Sequence, residues 1–457
     1  MRVLILLALV GGLGWYGWTA YGTAEGAEPA QDESVEVHQM IPVAPRPDAG
    51  GLAVKERDDP RVVAPPVTPP VQPALPPVEE EEVHVPAVQP PADDSVGRGA
   101  GPDDGMLLDL GARRADLIEQ GRLMLHGLEG IQALLNADSG VEEERRQLLY
   151  ALASVVIGQR DSAAAVLDQL SDARQVTSEE LAFLRSAVSP GNRPQPAAAG
   201  LRGNPLLLGT RLGVLQREAD EARFAEQNRV AAEGYSQLLR EELRAPWTPD
   251  QAALSLWAGY LDTAQAQHRW SRRGEWPSIE VRVQPGDSLT TIRKRVITEN
   301  PQLQICTGLI AAVNQTSTYL QPDQVLRIPT EPVHTEVYIA ARWVLYLHGD
   351  EVVSAWPCAV GREGHETPPG KYRAGVKQEK PSWMRPGFAP VPYGDPENPL
   401  GTRWISWDGR KGYGFHGTWE PETVGSAASD GCIRMHNEDV ERLFEILPQG
   451  AEIDVRP

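Results

Sequence analysis

The segment HGTWEPETVGSAASDGCIRMHNEDV (residues 416–440) opens on a histidine and carries a cysteine sixteen positions later, with mostly small and polar residues between them. A structural half-cystine needs a partner and a core cysteine sits in an apolar run; Cys432, flanked by Asp430-Gly431, fits neither pattern. The chemistry such a pair offers is nucleophilic catalysis. A thiol attacks as thiolate, and a neighbouring base or cation, here His416 or Arg434, brings that form within reach. Gly431 lets a substrate backbone come close, and the amides around Asp430, Gly431 and Cys432 are candidate donors to a developing oxyanion. A zinc reading of His416, Cys432 and His436 finds no Cys-x-x-Cys or His-x-x-x-His spacing to support it.

These residues need elements to hold them. In GYGFHG the period of two puts Tyr413 and Phe415 on one face and Gly414 and His416 on the other, so His416 stands at a strand end. After Cys432, Asn437 reads as a helix N-cap, Glu438 and Asp439 suit the first turn, and Val440, Leu443, Phe444 and Leu447 form the buried stripe. Upstream, TEVYIAARWVLYLHGDEVVSAWPCAVG gives two strands joined at His348-Gly349-Asp350, and TPPGKYRAGV adds a turn and a further strand. The stretch 333–457 is therefore expected to be sheet-rich.

The series His416-Gly417-Thr418, Gly425 and Ser429-Asp430-Gly431-Cys432-Ile433-Arg434-Met435 resembles the L,D-transpeptidases with a YkuD-type catalytic domain. Gly349, Val360-Gly361 and Thr367-Pro368-x-Gly370 fit the same family, and the resemblance runs from about Val333 to Val455. It implies that Cys432 attacks the carbonyl preceding the terminal D-Ala of a peptidoglycan tetrapeptide stem, releasing D-Ala and leaving a thioester. His416 would take the thiol proton and later deprotonate the acceptor amine. Ser429 would orient the imidazole through its backbone carbonyl, Arg434 would support the loop or a substrate carboxylate, and Gly417, Asp430 and Gly431 would line the substrate loop. No metal or organic cofactor is implied. Many members carry a second His where this chain has Asp430, which leaves His416 as the sole base. An amine acceptor from diaminopimelate would give a 3-3 cross-link, and water would make the protein an L,D-carboxypeptidase. A non-catalytic wall-binding protein, with a domain silenced by Asp430, is the rival reading. The papain-like wall hydrolases place Cys before His, the reverse of the order here.

A second resemblance lies at 278–331. IEVRVQPGDSLTTIRKRV, LQICTGLIAAVNQTS and LQPDQVLRIP read as strand, helix, helix and strand, and Gly286, Asp287, Ser288, Leu289, Asn314, Leu326, Ile328 and Pro329 resemble a LysM domain. Asp323 stands where that family usually has Gly. The resemblance implies that the glycan of peptidoglycan is held there.

The rest of the chain reads as delivery. Residues 105–276 carry helical periodicity, as in RRQLLYALASVVIGQ and in SEELAFLRSAV with a capping Ser178, and are expected to be an α-helical, repeat-like spacer or docking scaffold. Residues 28–104 are rich in Pro and acid and are expected to be a disordered tether. Residues 1–27 contain the uncharged run VLILLALVGGLGWYGWTAY after Arg2, a membrane anchor or signal peptide, which places the remainder outside the cytoplasm, in the periplasm or cell wall. The whole is multidomain. A net charge of -20 disfavours nucleic acid or an anionic membrane surface as a partner. Of the three cysteines, Cys306 and Cys358 read either as buried small hydrophobes or as a disulfide clamping the two C-terminal units together.

Overall fold

The computed structural model describes residues 104–457, except 126–129, 131–132, 135–142, 171–172, 190–203, 273, 318 and 385–387. The expected anchor and all but the last residue of the expected tether lie outside the described residues. Among the described residues no helix is long and apolar enough to cross a membrane.

The first half of the described residues folds as helices: α1 (Asp104–Leu125), α2 (Glu143–Val156), α3 (Arg160–Leu167), α4 (Ser178–Val188), α5 (Pro205–Phe224), α6 (Asn228–Glu242) and α7 (Gln251–Gln267). Their starts follow local chemistry. Asn204 caps α5 ahead of Pro205, and the Asp250 carboxylate accepts from the amides of Ala252 and Ala253 at the head of α7. For α4 the cap is Thr177, one residue earlier than the expected Ser178: its hydroxyl accepts from the Glu180 amide while the Glu180 carboxylate accepts from the Thr177 amide. Helices α1 and α5 cross at glycines, since a methyl on Gly209 would lie 1.8 Å from the Gly121 carbonyl.

Next comes a small unit in which β1 (Ser278–Arg282) pairs antiparallel with β2 (Val325–Pro329) around α8 (Leu289–Glu299) and α9 (Thr307–Val313). Ser288 caps α8 reciprocally with Thr291, and Asp287 pairs with Arg295 at 2.9 Å. Asn314 joins the second helix to β2: its amide donates to the carbonyls of Ile310 and Arg327 and its oxygen accepts from the Arg327 amide. Asp323 adopts φ 66°, a left-handed position that glycine fills best and Asp tolerates better than most residues.

The C-terminal part is an eight-stranded sheet of order β11-β9-β8-β7-β12-β3-β4-β5. Its strands are β3 (Val333–Tyr338), β4 (Trp343–His348), β5 (Glu351–Pro357), β7 (Gly370–Glu379), β8 (Arg403–Asp408), β9 (Gly414–His416), β11 (Ile433–Arg434) and β12 (Glu452–Arg456). A short parallel ladder joins β6 (Val360–Gly361) to β10 (Ala427–Ser429), and α10 (Asn437–Ile446) packs on the sheet. In β4 both faces are buried. Val344 and Tyr346 face the core beneath α10, while Trp343, Leu345 and Leu347 enter the core formed with α6 and α7. A bulge between Tyr346 and Leu347 resets the alternation opposite β5.

Helices α6 and α7 are therefore a cover for this sheet, where a spacer or docking scaffold was expected. Polar ties reinforce the cover: Arg240 and Arg244 reach the buried Glu336 at 3.0 Å each, and Gln251 accepts from the Trp343 indole. Residues 102–457 cluster as one unit. All three cysteines are free: Cys306 donates to the Glu445 carbonyl at 3.1 Å and Cys358 is buried, so no disulfide joins them.

Candidate active site

The parallel pair β9 and β11 builds the centre. Phe415 registers with Ile433 and His416 with Arg434, so Cys432, two residues earlier, falls beside Gly414 on the face that His416 occupies. Phe415 turns the other way, edge-on to Trp407 in the core. The His416 ring lies nearly parallel to Trp404 with centroids 6.1 Å apart, which fixes its plane.

His416 Nδ1 lies 2.6 Å from the Gly417 carbonyl. A carbonyl only accepts, so Nδ1 carries the proton and Nε2 presents its lone pair. Burial lowers the imidazole to about 4, the Gly417 carbonyl opposes that, and the Arg434 charge adds to it. The histidine is neutral at neutral pH, as a general base must be.

Cys432 is protonated. Burial raises its thiol to about 11; the Gly414 amide beside the sulfur and the Arg434 charge work against that, and Asp430 works with it. Its proton is directed at the Gly412 carbonyl, 3.4 Å from Sγ, and among the described residues no hydrogen bond joins Sγ to His416. The site rests as a neutral thiol and a neutral base, and attack has to be coupled to proton transfer.

The turn before Cys432 is held from three directions. Gly431 has φ 105°, and a side chain there would press to 2.7 Å of the Tyr413 ring, so only glycine fits. The Ser429 hydroxyl donates to the Cys432 carbonyl at 2.6 Å and accepts from the Gly431 amide at 3.1 Å. Gly431 is thus removed from the expected set of oxyanion donors, because its N–H already has an acceptor. The Cys432 amide finds none among the described residues. The expected contact from the Ser429 carbonyl to His416 is also corrected: that oxygen accepts from the Arg362 amide at 2.9 Å, and Gly417 performs the orienting. Arg434 donates to Glu420 at 2.9 Å and to the Thr423 hydroxyl at 3.0 Å, holding the loop that follows Trp419. Asp430 is exposed and pairs with Arg362, with His365 3.7 Å away. His436 is the residue that precedes α10.

Asn437, read from sequence as a cap, is the first helical residue and does something else. Its Oδ1 accepts from the amides of Thr402 and Thr418, both at 3.1 Å, and its Nδ2 donates to the Thr418 carbonyl at 2.8 Å. A methyl on Gly417 would stand 2.0 Å from that Oδ1, which explains the glycine of His-Gly-Thr. The signal was present as an Asn at a helix start, where the capping role is the ordinary reading. Trp404 and Gly414 carried no sequence signal for their parts in the site.

Residues 332–455 match the YkuD family, the L,D-transpeptidase catalytic domain. The Bacillus subtilis protein YqjB, named for L,D-transpeptidase activity, is 38% identical over 108 residues, which are 23% of this chain and 60% of that protein. Bacillus subtilis YkuD, named likewise, is 32% identical over 184 residues, covering 39% of this chain and 98% of its own length. The catalytic domain of the E. faecium L,D-transpeptidase aligns with a TM-score of 0.24 at 22% identity, over 28% of this chain and 98% of that one. With almost the whole of YkuD matched and its catalytic domain spanning the strands that carry His416 and Cys432, this chain belongs to the YkuD-type L,D-transpeptidases.

Proposed function

We propose that the protein transfers peptidoglycan stem peptides through Cys432. The observation that carries this reading is the pairing of β9 with β11, which sets a thiol and a neutral histidine on one face, beside an amide that has no acceptor among the described residues. In the first half-reaction the sulfur attacks the carbonyl before the terminal D-Ala. The S–C bond forms as the C–N bond breaks, and the thiol proton passes through His416 Nε2 to the departing amine. In the second half-reaction an acceptor amine forms a new C–N bond, the S–C bond breaks, and the amine proton returns through His416 to the sulfur. The oxyanion of each step falls to the Cys432 amide.

Arg434 and Ser429 shape the loop around the reacting atoms, and Gly417 orients the base. The neutral imidazole meets the requirement for a base without a second histidine, so Asp430 does not silence the domain. Residues 278–331 act as a LysM unit that holds the glycan, packed against α10 through Gly308 and Cys306 so that glycan and stem are bound by one body. The remainder of the chain holds this body outside the cytoplasm at the membrane, through residues 1–27 and the tether. Mass measurement after incubation with a carbapenem tests the catalytic part: one adduct, mapped to Cys432, is expected, and an unlabelled chain overturns it. Retention on intact sacculi, weakened by substitutions around the 286–289 turn, tests the glycan-binding part.

A further inference from the structure

Thr367 belongs to the Thr-Pro-Pro-Gly turn, which has no role in the mechanism above, yet its side chain is 2% exposed and lies against the catalytic loop. Its hydroxyl accepts from the Gly361 amide at 2.9 Å and donates to the Gly431 carbonyl at 3.0 Å. The roles are fixed, because an amide only donates and a carbonyl only accepts. The Gly431 carbonyl belongs to the same planar peptide as the Cys432 N–H, and in a trans peptide the two point in opposite directions. Holding the oxygen toward Thr367 therefore turns the Cys432 N–H to the other side, where it meets no acceptor among the described residues. Gly431, at φ 105°, offers little resistance of its own to rotation of that peptide. The adjoining Arg362 amide on the Ser429 carbonyl fixes the loop's other end at 2.9 Å.

We infer that Thr367 is a positioning residue that sets the oxyanion hole by holding the Gly431–Cys432 peptide in the orientation that presents the Cys432 amide to the reacting carbonyl. The inference rests on Cys432 being the nucleophile.

Two reactions of the same sulfur separate this role from a general structural one. Acylation by a carbapenem develops an oxyanion, whereas alkylation by iodoacetamide displaces iodide at a saturated carbon and develops none. In the full chain, Thr367→Val keeps the shape and removes the hydroxyl; its acylation rate is expected to fall on the order of 100-fold, the scale of losing one oxyanion donor, with the alkylation rate unchanged. Thr367→Ser should acylate at the wild-type rate. Should Val prevent folding, Thr367→Ala carries the same comparison. Wild-type acylation in Thr367→Val overturns the inference, as does an equal fall in both reactions, which would mean that the thiol itself had moved. A wild-type chain that alkylates at Cys432 but is never acylated removes the nucleophile reading, and this inference with it.

Discussion

Replacing Asn437 and Gly417 singly and together asks whether the clamp beneath His416 is one device. In Asn437→Ala the amides of Thr402 and Thr418 lose their acceptor and the Thr418 carbonyl loses a donor, three neutral hydrogen bonds at 2.8–3.1 Å, besides a longer one of 3.4 Å from the Thr402 hydroxyl. At about 1 kcal/mol each, with water recovering part at the half-buried Thr402 but not at Thr418, which is 3% exposed, the loss comes to about 2–3 kcal/mol. Gly417→Ala places a methyl 2.0 Å from Asn437 Oδ1 and forces the same clamp open, so its cost should be similar. Once Asn437 is alanine, the nearest obstacle to that methyl is the Thr402 nitrogen at 3.1 Å, a contact relieved by a shift of a few tenths of an ångström. The double variant should therefore be little worse than either single one, with a coupling of about 2 kcal/mol in the cycle. Urea unfolding of the four proteins measures it. The carbapenem acylation rate is read in parallel and should fall in both single variants, because Gly417 carries the carbonyl that orients His416. Additive costs, or an Asn437→Ala chain with unchanged stability and acylation, would refute the reasoning.

Burial lowers His416 to about 4, so the base remains neutral well into acid; the acylation rate should hold from pH 8 to about 5 and decline only near 4. An acid limb centred at the ordinary imidazole value of about 6.5 would contradict that burial. Conversely, iodoacetamide labelling of Cys432 should climb with pH toward about 11, where its half-buried thiol ionises, and a plateau by pH 8 would show a thiolate already formed. A chain trimmed to residues 277–457 loses the cover over Trp343, Leu345, Leu347 and Val352. Re-exposing four such side chains costs about 6–12 kcal/mol, as much as the whole stability of many domains, so the trimmed chain should aggregate or bind an apolar dye where 102–457 does not. A soluble, folded 277–457 would show that α6 and α7 are dispensable.

Much of the centre was legible because its constraints are local. His416 at a strand end, Cys432 after a glycine and the stripe of α10 all follow from short-range period and turn chemistry. The pairing that makes a site of them is parallel and joins positions eighteen residues apart (433 − 415 and 434 − 416), which no local pattern encodes. The helical cover was missed for a related reason, although a hint stood in the sequence: WVLYLH has no polar alternation, the mark of a strand buried on both faces. Asn437 was misread because a side chain at a helix start usually serves its own helix, and here the partners, Thr402 and Thr418, come from other segments. The Ser429 role shifted because its carbonyl is consumed by Arg362, a pairing set by the β6–β10 ladder.

The central claim is that Cys432 carries an acyl group from a stem peptide to an amine. Residues 102–457 and a Cys432→Ala counterpart would each be incubated with a diaminopimelate-type disaccharide tetrapeptide and the products weighed by mass spectrometry. The account predicts a cross-linked dimer formed with loss of one D-Ala in the wild-type sample alone. Intact tetrapeptide in both samples, or the same dimer in both, would contradict it.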